Sequence, residues 1–164
     1  QQEGEIHEIS VRIPAGISPG KKLRLAGKGY PSIHGGTAGD LYLNISIAEH
    51  DIFTREGDDL HAELPISFVQ AVFGDEVDVP TLEGKARMVI PAGTQTNTLF
   101  RLGGKGMPRM NSRRRGDLYV KAVVQVPKSL SREERELLLK YARESREDIQ
   151  PRDGFFSKLR DALK

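Results

Sequence analysis

An internal repeat at one fixed offset constrains the fold of this chain more than any other feature. Three motifs recur 77 residues apart with no gap between them: Ile13-Pro14-Ala15-Gly16 at Ile90, Arg24-Leu25-Ala26-Gly27-Lys28-Gly29 at Arg101, and Gly39-Asp40-Leu41-Tyr42 at Gly116. Self-similarity at a fixed period is the mark of a duplicated structural unit. We therefore expect two related units rather than a single domain of 164 residues.

Each unit has the pattern of short β-strands. Apolar and polar residues alternate in several segments, which is typical of half-buried strands, and Gly and Pro turns separate the segments. The predicted strands are residues 8–13, 22–25 and 40–47 in the first unit, and 60–66, 76–80, 86–90, 99–102 and 117–126 in the second. Residues 67–73 predict a short helix with Ser67 as its cap. Short strands at close spacing favour antiparallel sandwich or barrel-like units. The expected fold class is mainly β, with two tandem β-sandwich-like domains and C-terminal helices.

The repeat predicts three segments, namely a first β domain at 1–58, a second at 59–128 and a helical segment at 129–164. The second unit has more upstream sequence than the first, since the counterpart of residues 59–77 would fall at positions below 1. Either this copy is shorter, or the chain starts inside a domain. We favour the second reading, because a missing strand would leave an open sheet edge, which is a known liability.

The last segment changes from β to helical patterning. Ser131 and Glu134 form a capping-box pattern, and the helix is expected to run to about Glu144. A polar linker follows, and then an apolar helical face: Phe155, Phe156, Leu159, Ala162 and Leu163. Such a short amphipathic segment is unstable alone, so it must pack on its own sandwich or on a second chain.

Several kinds of chemistry are excluded. The chain has no Cys, which rules out disulfides, thiolate zinc sites and a Cys nucleophile. Its four His show no metal-ligand spacing, and its Gly-rich loops fail the phosphate-loop pattern. We expect no enzyme activity, no metal site and no cofactor. No apolar run approaches 18 residues and no signal-peptide pattern is present, which favours a soluble, cytoplasmic protein without membrane contact.

The charge balance is nearly neutral, with 25 basic and 23 acidic residues. One basic cluster, Arg113 to Arg115, lies in the long loop of the second unit, and Lys105, Arg109 and Lys121 are nearby in sequence. A nucleic-acid-binding module built on this cluster is the alternative function, although a solvated loop tip explains it more simply. A purely structural dimerising module is a further alternative.

The motifs together resemble the C-terminal client-binding region of DnaJ-type co-chaperones. The resemblance covers about residues 5–145. Besides the repeated motifs it is carried by the following segments: Val11-Arg12-Ile13-Pro14, His50 to Leu60, Pro65-Ile66-Ser67, Val79-Pro80-Thr81-Leu82 and Ile90 to Gln95.

The resemblance implies two tandem β-sandwich domains and a C-terminal dimerising element, which give a V-shaped homodimer. It also implies a shallow hydrophobic groove for unfolded polypeptide in the first domain. Our hypothesis is that an extended client lies along an exposed strand edge, where it adds backbone hydrogen bonds, for delivery to a DnaK-type ATPase chaperone. By position the groove residues would be Ile9, Val11, Leu25 and Phe53. For Phe53, ordinary core packing is an equally good interpretation.

The candidate dimerisation residues are Leu137, Leu138, Tyr141, Phe155, Phe156 and Leu159, and their alternative is packing on the second domain of the same chain. The family's J domain and its zinc-binding Cys repeats are absent from this sequence. This chain alone should therefore not stimulate a DnaK-type ATPase. The upstream strand that the first domain lacks in this sequence would carry part of the groove.

Overall fold

The computed structural model describes residues 8–32, 36–110, 112–147 and 149. The chain forms two compact units, Gln1–Gln125 and Val126–Lys164. The first contains eight strands and a short helix: β1 Lys22–Leu25, β2 Leu41–Asn44, β3 Thr54–Glu56, β4 Asp59–Ser67, α1 Phe68–Phe73, β5 Asp75–Thr81, β6 Gly84–Ile90, β7 Leu99–Leu102 and β8 Leu118–Gln125. The second contains α2, Arg132–Glu144. The expected mainly β fold is confirmed, while the three-part domain division stays a prediction.

The strands of the first unit form three sheets. A four-stranded sheet has the order β3-β4-β8-β7, and two-stranded sheets join β1 to β2 and β5 to β6. All pairs are antiparallel except the central one, β4 with β8, which runs parallel from Leu60 opposite Leu118 to Ser67 opposite Gln125. The expectation of purely antiparallel units is therefore wrong at this pair. The long connection between β4 and β8 gives the crossover that a parallel pair requires.

The core of the first unit lies on one face of the central strand pair. Successive strand residues point to opposite faces, so Leu118, Val120 and Ala122 of β8 share one side, and each is 0% exposed. The same cluster contains eight further buried residues: Phe53, Leu60, Ala62, Ile66, Ala71, Val79, Met88 and Ile90.

Both predicted helix caps are confirmed. The Ser67 hydroxyl accepts a hydrogen bond from the backbone N–H of Gln70 at 3.1 Å, and the Gln70 side-chain oxygen accepts one from the N–H of Ser67 at 2.9 Å. The same reciprocal pair joins Ser131 and Glu134 at the start of α2, at 3.1 and 2.7 Å. Each box satisfies two backbone donors that the first helical turn would otherwise leave unpaired.

The predicted strand at residues 8–13 is wrong, since these residues form no strand. Their counterpart 77 residues later is β6, which is held by pairing with β5. The same offset would place the counterpart of β5 at about −2 to 4, so none of it lies among the described residues. Alternation alone does not make a strand, because a strand also needs a hydrogen-bonding partner. The strand predicted at 40–47 is present but shorter, as β2.

Candidate functional site

An aspartate braces the Gly-rich loop in each copy of the repeat. Arg24 Nε donates to Asp40 Oδ2 at 2.6 Å, and the N–H of Gly27 donates to Asp40 Oδ1 at 2.9 Å. The second copy has the corresponding contacts, at 3.3 and 2.8 Å, between Asp117 and its two partners Arg101 and Gly104. The repeat found in the sequence is therefore also a repeat of contacts, and positions 77 residues apart can be compared directly.

The same comparison shows that β2 is covered much less than β8. Leu41, Leu43 and Ile45 lie along β2 and its end, and all three are only half-buried. Their counterparts in β8 are the three core residues that are 0% exposed: Leu118, Val120 and Ala122. The first copy therefore presents, partly open to solvent, an apolar row that the second copy buries completely.

The two strands also differ in how their edges are used. β8 pairs with β7 on one side and with β4 on the other. β2 pairs with β1, the counterpart of β7, and no strand among the described residues pairs with its other edge. An unpaired edge offers a row of backbone donors and acceptors to another extended chain.

Gly39 and Gly116, which occupy the same position in the two copies, differ in how closely other atoms approach them at this edge. A Cβ on Gly116 would overlap the backbone oxygen of Asp58, which comes directly before β4. At the counterpart, Gly39, the nearest atom to a Cβ is Tyr30 O at 3.8 Å, an ordinary contact distance. Among the described residues, a chain therefore occupies this edge of β8, and none occupies the corresponding place beside β2.

Three of the four predicted groove residues lie outside the buried cluster around β4 and β8. Ile9 is 36% exposed and Val11 is half-buried, and both lie outside any strand. Leu25 ends β1 and pairs with Leu41 of β2. Leu25 therefore borders the half-open apolar row.

Phe53 lies apart from the other three candidates, in the buried cluster around β4 and β8. Its side chain is 9% exposed and clusters with buried residues such as Leu60 and Val120, and this cluster contains none of the other three groove candidates. His50 holds the turn before it, because His50 Nδ1 accepts from the Phe53 N–H at 3.4 Å and the two rings lie 5.1 Å apart. The structure thus places Phe53 in core packing, and a client-binding role for it stays a prediction.

Comparison with known proteins assigns the family. Residues 1–127 match the DnaJ C terminal domain, and residues 133–164 match the Chaperone protein DnaJ C-terminal region. The chain belongs to the DnaJ C-terminal domain family. It is a C-terminal region of the DnaJ chaperone type, and this family is a chaperone family rather than an enzyme family.

The curated relatives are similar over nearly the whole chain. The chaperone protein DnaJ of Halalkalibacterium halodurans is 48% identical over 159 residues, which cover 96% of this chain and 43% of the relative. That of Natronomonas pharaonis is 51% identical over 155 residues, covering 94% of this chain and 41% of the relative. The chain therefore spans about two fifths of the length of these DnaJ proteins.

Sequence reasoning did not identify Leu41, Leu43 and Ile45 as site residues of this DnaJ region. The signal that could have found them was present, because Leu41 lies inside a repeated motif whose copy starts β8. Only the different burial of the two copies, seen in the structure, separates a core position from a half-open one.

The candidate dimerisation residues on α2 share one exposed face. Leu137, Leu138 and Tyr141 are 68%, 40% and 56% exposed, and the helical rotation of about 100° per residue puts them on one side of the helix. The other three candidates lie outside the described residues: Phe155, Phe156 and Leu159. The dimer role of all six residues stays a prediction.

Most of the basic residues near the Arg cluster already have acidic partners. Lys105 and Arg115 both contact Glu83, at 3.7 and 2.9 Å, and Arg109 contacts Asp58 at 3.1 Å. Lys121 is paired with Glu63 in the same way. These ion pairs neutralise much of the charge that a nucleic-acid surface would use for phosphate contacts.

The described part of the chain, residues 8–32, 36–110, 112–147 and 149, has neither a membrane-spanning helix nor a metal-binding cluster. Within it, no helix is both long and apolar enough to cross a membrane. Across the same residues, no group of three His, Asp or Glu side chains is arranged to hold a metal ion.

Proposed function

We propose that this DnaJ region binds non-native polypeptide along β2, over the half-buried apolar row formed by Leu41, Leu43 and Ile45. The supporting observation is the contrast between the two copies of the repeat. β8 has a parallel partner and a fully buried row, whereas β2 has neither within the described residues. An extended client strand added beside β2 would form backbone hydrogen bonds and cover Leu41, Leu43 and Ile45. In the whole protein, the client would then pass to a DnaK-type ATPase chaperone.

Binding at this one site is weak and reversible. Burial of one Leu or Phe side chain contributes about 1.5–3 kcal/mol, and the cost of ordering a flexible client opposes it. Backbone hydrogen bonds add affinity without requiring a particular sequence, which suits a chaperone that meets many clients. We propose that the mechanism is passive and needs no cofactor and no catalytic group. We also propose that the protein is cytoplasmic.

A dimer would strengthen this weak binding. Two sites on linked chains raise the effective concentration of the second binding event, so the overall avidity exceeds that of one site. We propose that the exposed α2 face, defined by Leu137, Leu138 and Tyr141, contributes to a homodimer interface together with the predicted C-terminal residues.

Gly39→Ala is expected to weaken client binding while the fold is kept. If a client strand lies against β2 as β4 lies against β8, the added methyl group overlaps the client backbone, as a Cβ on Gly116 would overlap Asp58 O. The affinity for a fluorescent unfolded peptide, measured by anisotropy, should fall about tenfold, which corresponds to about 1.4 kcal/mol. Thr37→Ala, in the same loop, is the matched control and should bind like the unaltered chain.

An unchanged peptide affinity for Gly39→Ala would exclude the edge of β2 as the site. Binding to peptide and to duplex DNA, each measured with the unaltered chain at rising salt concentration, distinguishes client binding from the alternative function of nucleic-acid binding. Apolar and backbone contacts change little with salt, whereas duplex DNA bound through the Arg cluster would be lost steeply as salt rises.

Leu137→Asp combined with Tyr141→Asp is expected to convert a dimer to monomers. Two carboxylates on the α2 face would have to be desolvated at an apolar interface, which is strongly unfavourable. Sedimentation velocity at several concentrations measures the result. Lys140→Asp, an exposed change outside this face, is the control and should leave the dimer intact. A double variant that sediments as the unaltered dimer would remove the α2 face from the interface.

A further inference from the structure

One half-buried arginine joins the two copies of the repeat. Arg55 lies on β3 opposite Leu60 of β4, so its backbone belongs to the four-stranded sheet that contains β8. Its side chain extends to the first copy, where Nη1 donates to Ile17 O at 2.9 Å and Nη2 donates to Gly16 O at 3.0 Å. Its Nε donates to Gly57 O at 2.7 Å. We call these three hydrogen bonds, all to backbone carbonyl oxygens, the arginine clamp.

The turn that the arginine clamp holds also lies directly against the second copy. Gly16 has a φ of +81°, and a Cβ on it would overlap the backbone oxygen of Pro108. Its counterpart Gly93 has nearly the same φ, +79°, but no described atom lies within 4 Å of a Cβ there. Both backbone conformations favour glycine. The close approach at Gly16 is therefore a contact between the two copies and does not arise from the turn itself.

The loop around Pro108 is held in place from both sides. The N–H of Met107 donates to Asp58 O at 2.8 Å, and Arg109 Nε contacts Asp58 Oδ2 at 3.1 Å. Asp58 directly follows Gly57, whose carbonyl belongs to the arginine clamp. The loop and the clamp are thus attached to the same short turn between β3 and β4, which gives the first copy a fixed surface to lie against.

The clamped turn is also connected to the end of the apolar row. The N–H of Gly20 donates to Ile45 O at 2.8 Å, and the N–H of Ile45 donates to Lys21 O at 2.9 Å. Ile45 is the last residue of the half-buried row, and the segment that holds it begins at the two residues whose carbonyls the clamp contacts, Gly16 and Ile17. The clamp therefore connects the row with the four-stranded sheet.

Without the arginine clamp the two copies would be joined much more loosely. The chain passes from one copy to the other through residues 46–53, which form no helix or strand. β1 and β2 pair with each other and, among the described strands, with no other. A connection of this kind permits relative motion of the two parts, as it does between domains with a small interface. The clamp adds a second point of attachment that opposes such motion.

Arginine is well suited to this position. Its guanidinium keeps its charge at every physiological pH and presents its donors in a rigid plane, whereas a lysine presents one compact ammonium on a flexible stem. The counterpart of Arg55 is Arg132, whose side chain is 87% exposed at the start of α2 and contacts Glu136 of the same helix. The clamp is therefore a further difference between corresponding positions of the repeat.

We propose that Arg55 is a positioning residue, which holds the first copy and its apolar row in one orientation on the four-stranded sheet. Its effect on clients rests on the proposed function, because it acts through the row, whereas its effect on the orientation of the first copy does not. A fixed orientation favours clients that contact both rows of a dimer, since avidity is highest when the span between two sites matches the client.

The test measures the distance between the two copies. Because the chain has no Cys, Tyr42→Cys on β2 and Leu99→Cys on β7 give two unique positions for spin labels, and both residues are exposed. Double electron–electron resonance should give one narrow distance distribution. Arg55→Lys keeps the charge but loses the planar fork, and should broaden this distribution about twofold. Arg132→Lys is the matched control and should leave it unchanged.

A second pair of variants tests the same contact from the other copy. Gly16→Ala and Gly93→Ala share the strain of a positive φ, +81° and +79°, but only the first adds a methyl group that overlaps Pro108 O. Gly16→Ala should therefore broaden the distance distribution and Gly93→Ala should not. A distribution that stays narrow in Arg55→Lys, or that broadens equally in each variant and its control, would overturn the proposal.

Peptide binding separates positioning from a general loss of structure. A short unfolded peptide that covers one row should bind Arg55→Lys as it binds the unaltered chain. A peptide with two apolar segments and a Gly/Ser linker should bind Arg55→Lys about tenfold more weakly at the best linker length. Equal affinity of the two chains for this longer peptide would overturn the role in client binding. A lower melting temperature together with weaker binding of the short peptide would make Arg55 a residue that only stabilises the fold.

The proposed function and the role of Arg55 can fail independently. If the unaltered chain binds neither peptide, the proposed function is wrong, and the distance distribution still decides whether Arg55 fixes the first copy. If the short peptide binds and the distribution of Arg55→Lys is as narrow as that of its control, the proposed function stands and the positioning role is excluded.

Discussion

Phe53→Ala is expected to lower the free energy of unfolding by about 3–5 kcal/mol, the range measured for removing a buried aromatic ring. The ring is 9% exposed and packs in the cluster that includes Leu60 and Val120 of the central strands. The central strands β4 and β8 are paired on both sides, so they can close only part of the cavity that the change leaves. Urea denaturation followed by circular dichroism measures the effect as a lower midpoint with an unchanged slope.

The neighbouring residue provides a matched control. Ile52 is 48% exposed, so Ile52→Ala should change the free energy of unfolding by no more than about 0.5 kcal/mol. The backbone N–H of Ile52, which donates to His50 Nδ1 at 3.1 Å, is kept in this variant. If instead Phe53→Ala were as stable as the unaltered chain but lost peptide affinity, Phe53 would belong to the client groove.

Local features of the fold could be predicted from the sequence. β1 and β7 were placed at the correct residues, because alternation and the flanking glycine turns both lie within a few residues. The caps at Ser67 and Ser131 could also be predicted, because a helix cap and the groups that it contacts lie within four residues. The repeat, although it spans 77 residues, needed only a comparison of the chain with itself.

Features that depend on distant partners could not be predicted. The parallel pairing of β4 with β8 joins residues about 58 apart, as in Leu60 with Leu118, and nothing near either strand specifies its neighbour. Residues 8–13 have the alternation of a strand, but no strand among the described residues pairs with them as β5 pairs with β6. Phe53 could not be assigned for the same reason, because its apolar ring fits a core or a groove equally well until its neighbours are known.

The candidate site combines both kinds of information. The identity of Leu41 with Leu118 is visible in the sequence, and it predicts equal roles for the two residues. Their burial is nevertheless unequal, because Leu118 lies in the buried cluster with residues such as Met88 and Ile90, whereas Leu41 is only half-buried. A candidate site can therefore be recognised where corresponding residues of the two repeats differ in burial.

Gly116→Ala is expected to destabilise the first unit by more than about 4 kcal/mol, which is exceptional for a single substitution. The added methyl group would overlap the backbone oxygen of Asp58 and approach Asp59 Oδ1 at 2.6 Å. Neither contact can relax easily, because the Met107 N–H donates to Asp58 O at 2.8 Å and the Asp117 N–H donates to Asp59 Oδ1 at 2.7 Å. The substitution thus acts on the start of β4, and its pairing with β8 should open first.

Thermal melting and hydrogen exchange measure this effect. The melting temperature of Gly116→Ala should fall steeply, and the amides of β4 and β8 should lose their protection from exchange before those of β5 and β6. Normal protection of β4 in this variant would show that the close approach of Asp58 to Gly116 does not fix the strand pair.

Gly39→Ala provides the decisive comparison, because it is the same substitution at the same position of the other repeat. Among the described residues, its Cβ would meet Tyr30 O at 3.8 Å, and the backbone hydrogen bonds of Gly39 with Gly29 and Tyr30 are kept. We expect a change of less than about 1 kcal/mol, with a small gain possible from the stiffer unfolded chain. A loss as large as that of Gly116→Ala would mean that the edge of β2 is already occupied, and it would remove the space in which we place the client. A stable Gly39→Ala chain that binds peptide weakly is the result that the open edge requires.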